Sequence, residues 1–122
     1  MDREFLLRPF AEPSGYTTSI FDGWDVVPGH LDGVHVCTSI LKGSEIHFYV
    51  LPEHRRKLVL RGRTQEYLRP LMDRHGFLTT RVLLEHKGEM RFVERVGFKP
   101  TWADQHFQYY MLGRLPFARS ET

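Results

Sequence analysis

Alternation of apolar and polar positions is clearest in the middle of the chain. Val34, Val36, Thr38 and Ile40 share one side of the stretch 34–41, a β-branched run that predicts a strand. Ile46, Phe48 and Val50 then alternate with Glu45, His47 and Tyr49, which predicts a second strand over 45–51. Lys42-Gly43-Ser44 lies between them and predicts a hairpin with a three-residue connection. Pro52 ends the second strand.

The period changes after that. Leu60, Thr64, Tyr67, Leu68, Leu71 and Met72 follow the spacing of one helical stripe, and Gly76 is placed to cap it. Pro70 falls inside the stripe and predicts a kink, or a break near Arg69. Thr79 to Leu84 reads as a strand core. Met90, Phe92, Val93 and Val96 mark a helical face ended by Gly97, and Phe107 to Leu112 is a last strand. That strand alternates Phe107, Tyr109 and Met111 with Gln108, Tyr110 and Leu112, which predicts packing on both faces rather than a base-stacking platform.

The first third is harder to parse. Glu4 to Arg8 is a short apolar stretch stopped by Pro9 and predicts an edge strand. Residues 11–33 are rich in glycine and proline, with room for a short helix from Tyr16 to Phe21 and a brief strand from Trp24 to Val27. The whole order is an antiparallel hairpin followed by helices interleaved with strands. It predicts an α/β fold with a mixed sheet, antiparallel at its N-terminal end and with two main helices after the fourth strand.

Composition narrows the class without changing this picture. A chain of 122 residues with 41% hydrophobic and 26% charged residues fits one globular domain over 1–122, ending in a polar tail at 116–122. The single Cys37 excludes an intramolecular disulfide framework, and its mid-strand place predicts a small buried hydrophobe. No apolar run reaches the roughly 18 residues of a membrane span, and Met1-Asp2-Arg3-Glu4 does not open like a signal peptide, so the expectation is a cytoplasmic protein without a membrane role. Seventeen basic against fifteen acidic residues give a net charge of +2. One basic cluster stands out, His54-Arg55-Arg56-Lys57 with Arg61 and Arg63; a nucleic-acid role there is an alternative that is not favoured. Seven histidines show no helical His-x-x-x-His spacing and no cysteine pair, so no metal site is expected.

Three passages carry a family resemblance. Val50-Leu51-Pro52-Glu53-His54-Arg55-Arg56 resembles the V-x-P-E-x-R-G passage of the GNAT superfamily of acetyl-CoA-dependent N-acetyltransferases. Phe92-Val93-Glu94-Arg95-Val96-Gly97-Phe98 resembles the family's Y-E-K-x-G-F helix end. Leu6-Leu7-Arg8-Pro9 resembles its opening I-R-P strand. The match is best over 45–112. Glu45-x-His47, just ahead of the first passage, is similar to small GNAT-like proteins encoded in bacteriophage genomes.

The resemblance implies a pantetheine arm beside the strand holding Val50. It also implies a pyrophosphate on the N–H groups of the following loop, where helix-terminal donors favour an anion. Val50, Arg55, Arg56, Lys57 and Leu58 are then the candidate cofactor residues for acetyl-CoA. The family's loop glycines are replaced by Lys57-Leu58-Val59-Leu60, which removes the positions of close backbone approach. His86 and Val93 fall where the family often carries an Asn and a proton-donating Tyr. Glu45 and His47 are the candidate base, and Tyr109 or Tyr110 would have to serve as acid. With loop glycines and acid both missing, the preferred expectation is a GNAT-fold structural or interaction module, phage-encoded and virion-associated, that holds a protein partner with little or no turnover. The alternative is an N-acetyltransferase that transfers acetyl to an amine.

Overall fold

Asp2 caps a helix that the sequence pattern did not announce. In the computed structural model its Oδ1 accepts the Glu4 N–H at 3.3 Å, and α1 runs from Arg3 to Ala11. The stretch 4–8 is therefore helical, which corrects the expected edge strand and the strand implied by Leu6-Leu7-Arg8-Pro9. Leu6, Leu7 and Ala11 are buried, a stripe visible only when residues beyond Pro9 are counted. Pro9 deprives only the Phe5 carbonyl of its helical donor, and the burial of that stripe outweighs the loss.

The structure describes residues 2–54 and 63–113. Contacts divide the chain into two compact units, 1–54 and 55–122. In the first unit, short 3₁₀ turns at Glu12–Ser14 and Thr18–Phe21 follow α1, and Arg3 Nη2 donates to the Phe21 carbonyl at 2.9 Å. Three antiparallel strands come next: β1 (Asp25–Leu31), β2 (Val34–Lys42) and β3 (Glu45–Val50). β1 is longer than the Trp24–Val27 strand expected, and it carries Pro28 and a bulge between Gly29 and His30.

Leu31 pairs with Val34 across Asp32 and Gly33, both at positive φ (53° and 80°), so a two-residue turn of the type I′ kind joins β1 to β2. Lys42 pairs with Glu45, so Gly43 and Ser44 alone form the next turn, one residue shorter than the expected connection. Val36 to Leu41 are buried without a break, because β2 is covered on both faces.

In the second unit α2 spans Arg63–His75 and runs through Pro70 without the expected break. Leu68, Leu71 and Met72 are buried, as the stripe predicts. Leu60 lies outside the described residues, as do 55–59, Arg61, Gly62 and the tail 116–122. Gly76, at φ 79°, donates its N–H to the Met72 carbonyl at 2.7 Å and ends the helix. β4 (Leu78–Leu83) follows, then α3 (Lys87–Val96), closed by Gly97.

A strand at Lys99–Ala103, β5, was not expected from the sequence; it pairs with β6 (Phe107–Leu112), which also pairs with β4. All five residues of β5 are exposed, so it has no alternation of apolar and polar positions to reveal it. The expectation that β6 packs on both faces is also corrected. Tyr110 and Leu112 are buried, whereas Phe107 and Tyr109 are half-buried and Met111 is exposed.

Candidate functional site

Two residues apart on β3, Glu45 and His47 project from one face, and the structure joins them. His47 Nε2 and Glu45 Oε2 are 2.6 Å apart, with 26% and 34% of the two side chains exposed. A carboxylate bonded to one ring nitrogen fixes the imidazole's tautomer. Such a pair can accept a proton, and it is open enough for solvent or a ligand to reach.

An aromatic row runs from His47 through the first unit. The Trp24 ring lies 5.7 Å from the His47 ring, and Lys42 Nζ is 6.0 Å from the Trp24 centroid. Phe21 meets Trp24 edge-on at 6.4 Å, Phe10 meets Phe21 at 6.2 Å, and Phe10 also meets Tyr49 at 6.4 Å. Edge-to-face packing of this kind is stabilising beyond area burial. Sequence reasoning missed Phe10, Phe21 and Trp24. Their signal was three aromatics in a glycine- and proline-rich segment, where such side chains need a surface to cover.

The two candidate acids belong to the second unit and occupy opposite faces of β6. Tyr110 is 1% exposed, and its hydroxyl donates to Glu94 Oε2 at 2.7 Å. Burial and then the Glu94 carboxylate push the Tyr110 phenol well above its ordinary pKa, so it holds its proton. Tyr109 donates to Asp104 Oδ2 at 2.9 Å and stacks on Trp102 at 4.1 Å between centroids. Asp104 also accepts the N–H groups of His106 and Phe107, each at 2.8 Å, and those bonds hold its carboxyl below the usual range. Each phenol is committed to a carboxylate.

Val93 is 5% exposed, an apolar core residue of α3. His86 precedes α3 and is exposed, with Nδ1 3.4 Å from Glu89 Oε1. Cys37 is 4% exposed, and burial pushes its thiol up to about 11, so it is a packed hydrophobe rather than a nucleophile. Val50 is buried at the end of β3. Arg55, Arg56, Lys57 and Leu58, with most of the basic cluster, lie outside the described residues. Among the described residues no three His, Cys, Asp or Glu side chains gather as metal ligands, and no helix is long and apolar enough to cross a membrane.

The Tyr110 bond sets a pH expectation. The unfolded phenol ionises near 10 and the folded one higher. The folded state thus binds more protons above about pH 10, and this contribution to stability, complete at lower pH, is lost as pH rises. Tyr110→Phe should flatten that alkaline decline and cost about 1.5 kcal/mol at neutral pH, read by urea unfolding at pH 7 and pH 10.5. An unaltered alkaline slope would mean that Tyr110 ionises freely.

No family model matches the chain, and no curated protein matches it in sequence. Solved structures do match its fold. The IAA acetyltransferase from Bacillus cereus aligns over 91% of this chain and 91% of its own, with a TM-score of 0.63 and 9% identity. The Campylobacter jejuni N-acetyltransferase PseH, in complex with acetyl coenzyme A, aligns over 92% of each chain with a TM-score of 0.60 and 10% identity. The ribosomal-protein-S18-alanine N-acetyltransferase from Escherichia coli covers 88% of this chain and 82% of its own, with a TM-score of 0.55 and 13% identity. At these identities the likeness establishes the fold alone: the chain has the α/β fold of the GNAT N-acetyltransferases.

Proposed function

We infer that the protein is a GNAT-fold module that works by holding a protein partner, with little or no acetyl transfer. The carrying observation is the state of the proton donors. A departing thiolate needs an acid, and the position the resemblance assigns to it holds the buried, apolar Val93. Tyr110 is locked to Glu94 and Tyr109 to Asp104. General acid catalysis contributes about 10²–10⁴-fold in rate, which its loss would remove. The glycine-free loop points the same way. The phage-encoded, virion-associated setting rests on Glu45-x-His47 alone.

Calorimetric titration with acetyl-CoA, paired with a thiol-release assay on polyamines and peptide amines, tests this reading. The expected result is no thiol release above the uncatalysed rate, whether or not the cofactor binds. Sustained release with any amine overturns it. Recovery of the chain from purified phage particles would test the virion assignment.

A second reading has its own support in the Glu45–His47 pair and in the acetyl-CoA complex of PseH. Here the amine nitrogen attacks the thioester carbonyl and the pair takes the amine proton. The C–S bond then breaks, and coenzyme A leaves as thiolate and gains a proton from solvent. Under this reading Glu45→Gln lowers turnover at least tenfold; unchanged turnover removes Glu45 from the chemistry.

A further inference from the structure

A cleft of about 610 Å³ lies within the first unit, and one stripe of α1 and its continuation forms a wall of it. Phe5, Arg8, Pro9, Glu12 and Pro13 line that wall, at the spacing i, i+3, i+4, i+7, i+8 of a single helical face. The residues of α1 that face the core are different ones, Leu6, Leu7 and Ala11, although Leu6 also reaches the cleft. Tyr49 and Leu51 of the β3 segment stand opposite, with Thr38 paired to Tyr49 across the sheet. The volume is that of a small-molecule site.

The lining is apolar with a few polar groups, and their chemistry selects the occupant. Arg8 and Glu12 sit one helical turn apart, yet neither forms an ion pair among the described residues. Arg before Glu is the poorer order for such a pair, because it runs against the helix dipole. His35, at the floor, is bonded to Thr38 Oγ1 at 3.0 Å, and burial holds its pKa below the usual value, so it adds no charge at pH 7. The cleft thus offers one cation and one anion beside an apolar surface. A simple carboxylate meets Glu12 and a simple ammonium meets Arg8; a molecule carrying both charges satisfies each.

The geometry points to a binding site for a free α-amino acid with an apolar side chain. Its carboxylate pairs with Arg8, its ammonium with Glu12, and its side chain covers Phe5, Tyr49 and Leu51. The site uses neither Glu45 nor the candidate acids, although Tyr49 lies on the β3 face that also carries Glu45 and His47.

Heteronuclear NMR titration of the full chain at pH 7 and low salt, without acetyl-CoA, tests it with three probes. They are L-phenylalanine, 3-phenylpropionate, which lacks the ammonium, and phenethylamine, which lacks the carboxylate. Phenylalanine should saturate at millimolar concentration or below and shift cleft resonances, with each truncated probe about tenfold weaker. Arg8→Gln should abolish the preference over phenethylamine and leave that over phenylpropionate. Glu12→Gln should do the reverse. Both side chains are exposed, and unchanged spectra away from the cleft would report an intact fold. Equal binding of all three probes, uniform weakening by both substitutions, or no saturation by phenylalanine overturns the assignment. None of these outcomes bears on acetyl transfer, which is measured separately.

Discussion

Ile46→Ala will destabilise the protein by about 3 kcal/mol, within the range for deleting a buried aliphatic side chain. Ile46 is 0% exposed on β3 and pairs with Leu41 on β2, itself buried. Removing three carbons loses their transfer free energy and leaves a cavity that the paired strands β2 and β3 cannot close without breaking register. Against a total stability of about 5–15 kcal/mol, that is a large share. The melting temperature should fall by about 10 °C, read by circular dichroism. Phe5→Ala provides the contrast. Phe5 is 52% exposed, and its loss should move the melting temperature by only a few degrees. Equal effects from the two would mean that Ile46 is not in the core.

Gly33→Val should cost about 2 kcal/mol through the backbone alone. Gly33 holds φ at 80° in the turn between β1 and β2, and a Cβ built there meets nothing within 4 Å. No clash contributes, so the cost is the left-handed conformation, which a β-branched residue tolerates worst. Gly33→Asn should cost much less, because Asn enters that region readily. Urea unfolding of the two variants measures the difference. If Val and Asn are equal, the turn does not require positive φ.

Asp32-Gly33 is a local signal of a different kind from hydrophobic period. An Asp-Gly pair between apolar runs is a strong hairpin signal, and it marks the β1–β2 turn within a segment that otherwise looks loop-rich. β3, α2, β4, α3 and β6 were legible because each buries one face and so keeps a regular period, and β2, buried on both faces, was legible from its β-branched run. β5 was not, since all its residues are exposed and Pro100 interrupts it. α1 was misread because five residues before a proline cannot distinguish a helix from a strand, and the stripe that decides it continues to Ala11.

The candidate site divides in the same way. Glu45 and His47 share a face by strand geometry, so their meeting could be expected from their spacing. That Val93 cannot donate a proton is a fact of residue identity. Whether Tyr109 and Tyr110 could act instead was a question of partners, and Asp104 and Glu94 lie five and sixteen residues away in sequence.

By itself, the sequence determined the α/β class, most of the elements and the residues available for chemistry, because period and residue type are local properties of the chain. The tertiary structure alone decided that 4–8 is helical, that the Phe107–Tyr109–Met111 face is open, and that both phenols are held by carboxylates. It also decided that Arg8 and Glu12 share a cleft with Tyr49 and Leu51. Those outcomes depend on which surfaces meet, and burial and hydrogen-bond partnership are set by residues far apart in the chain.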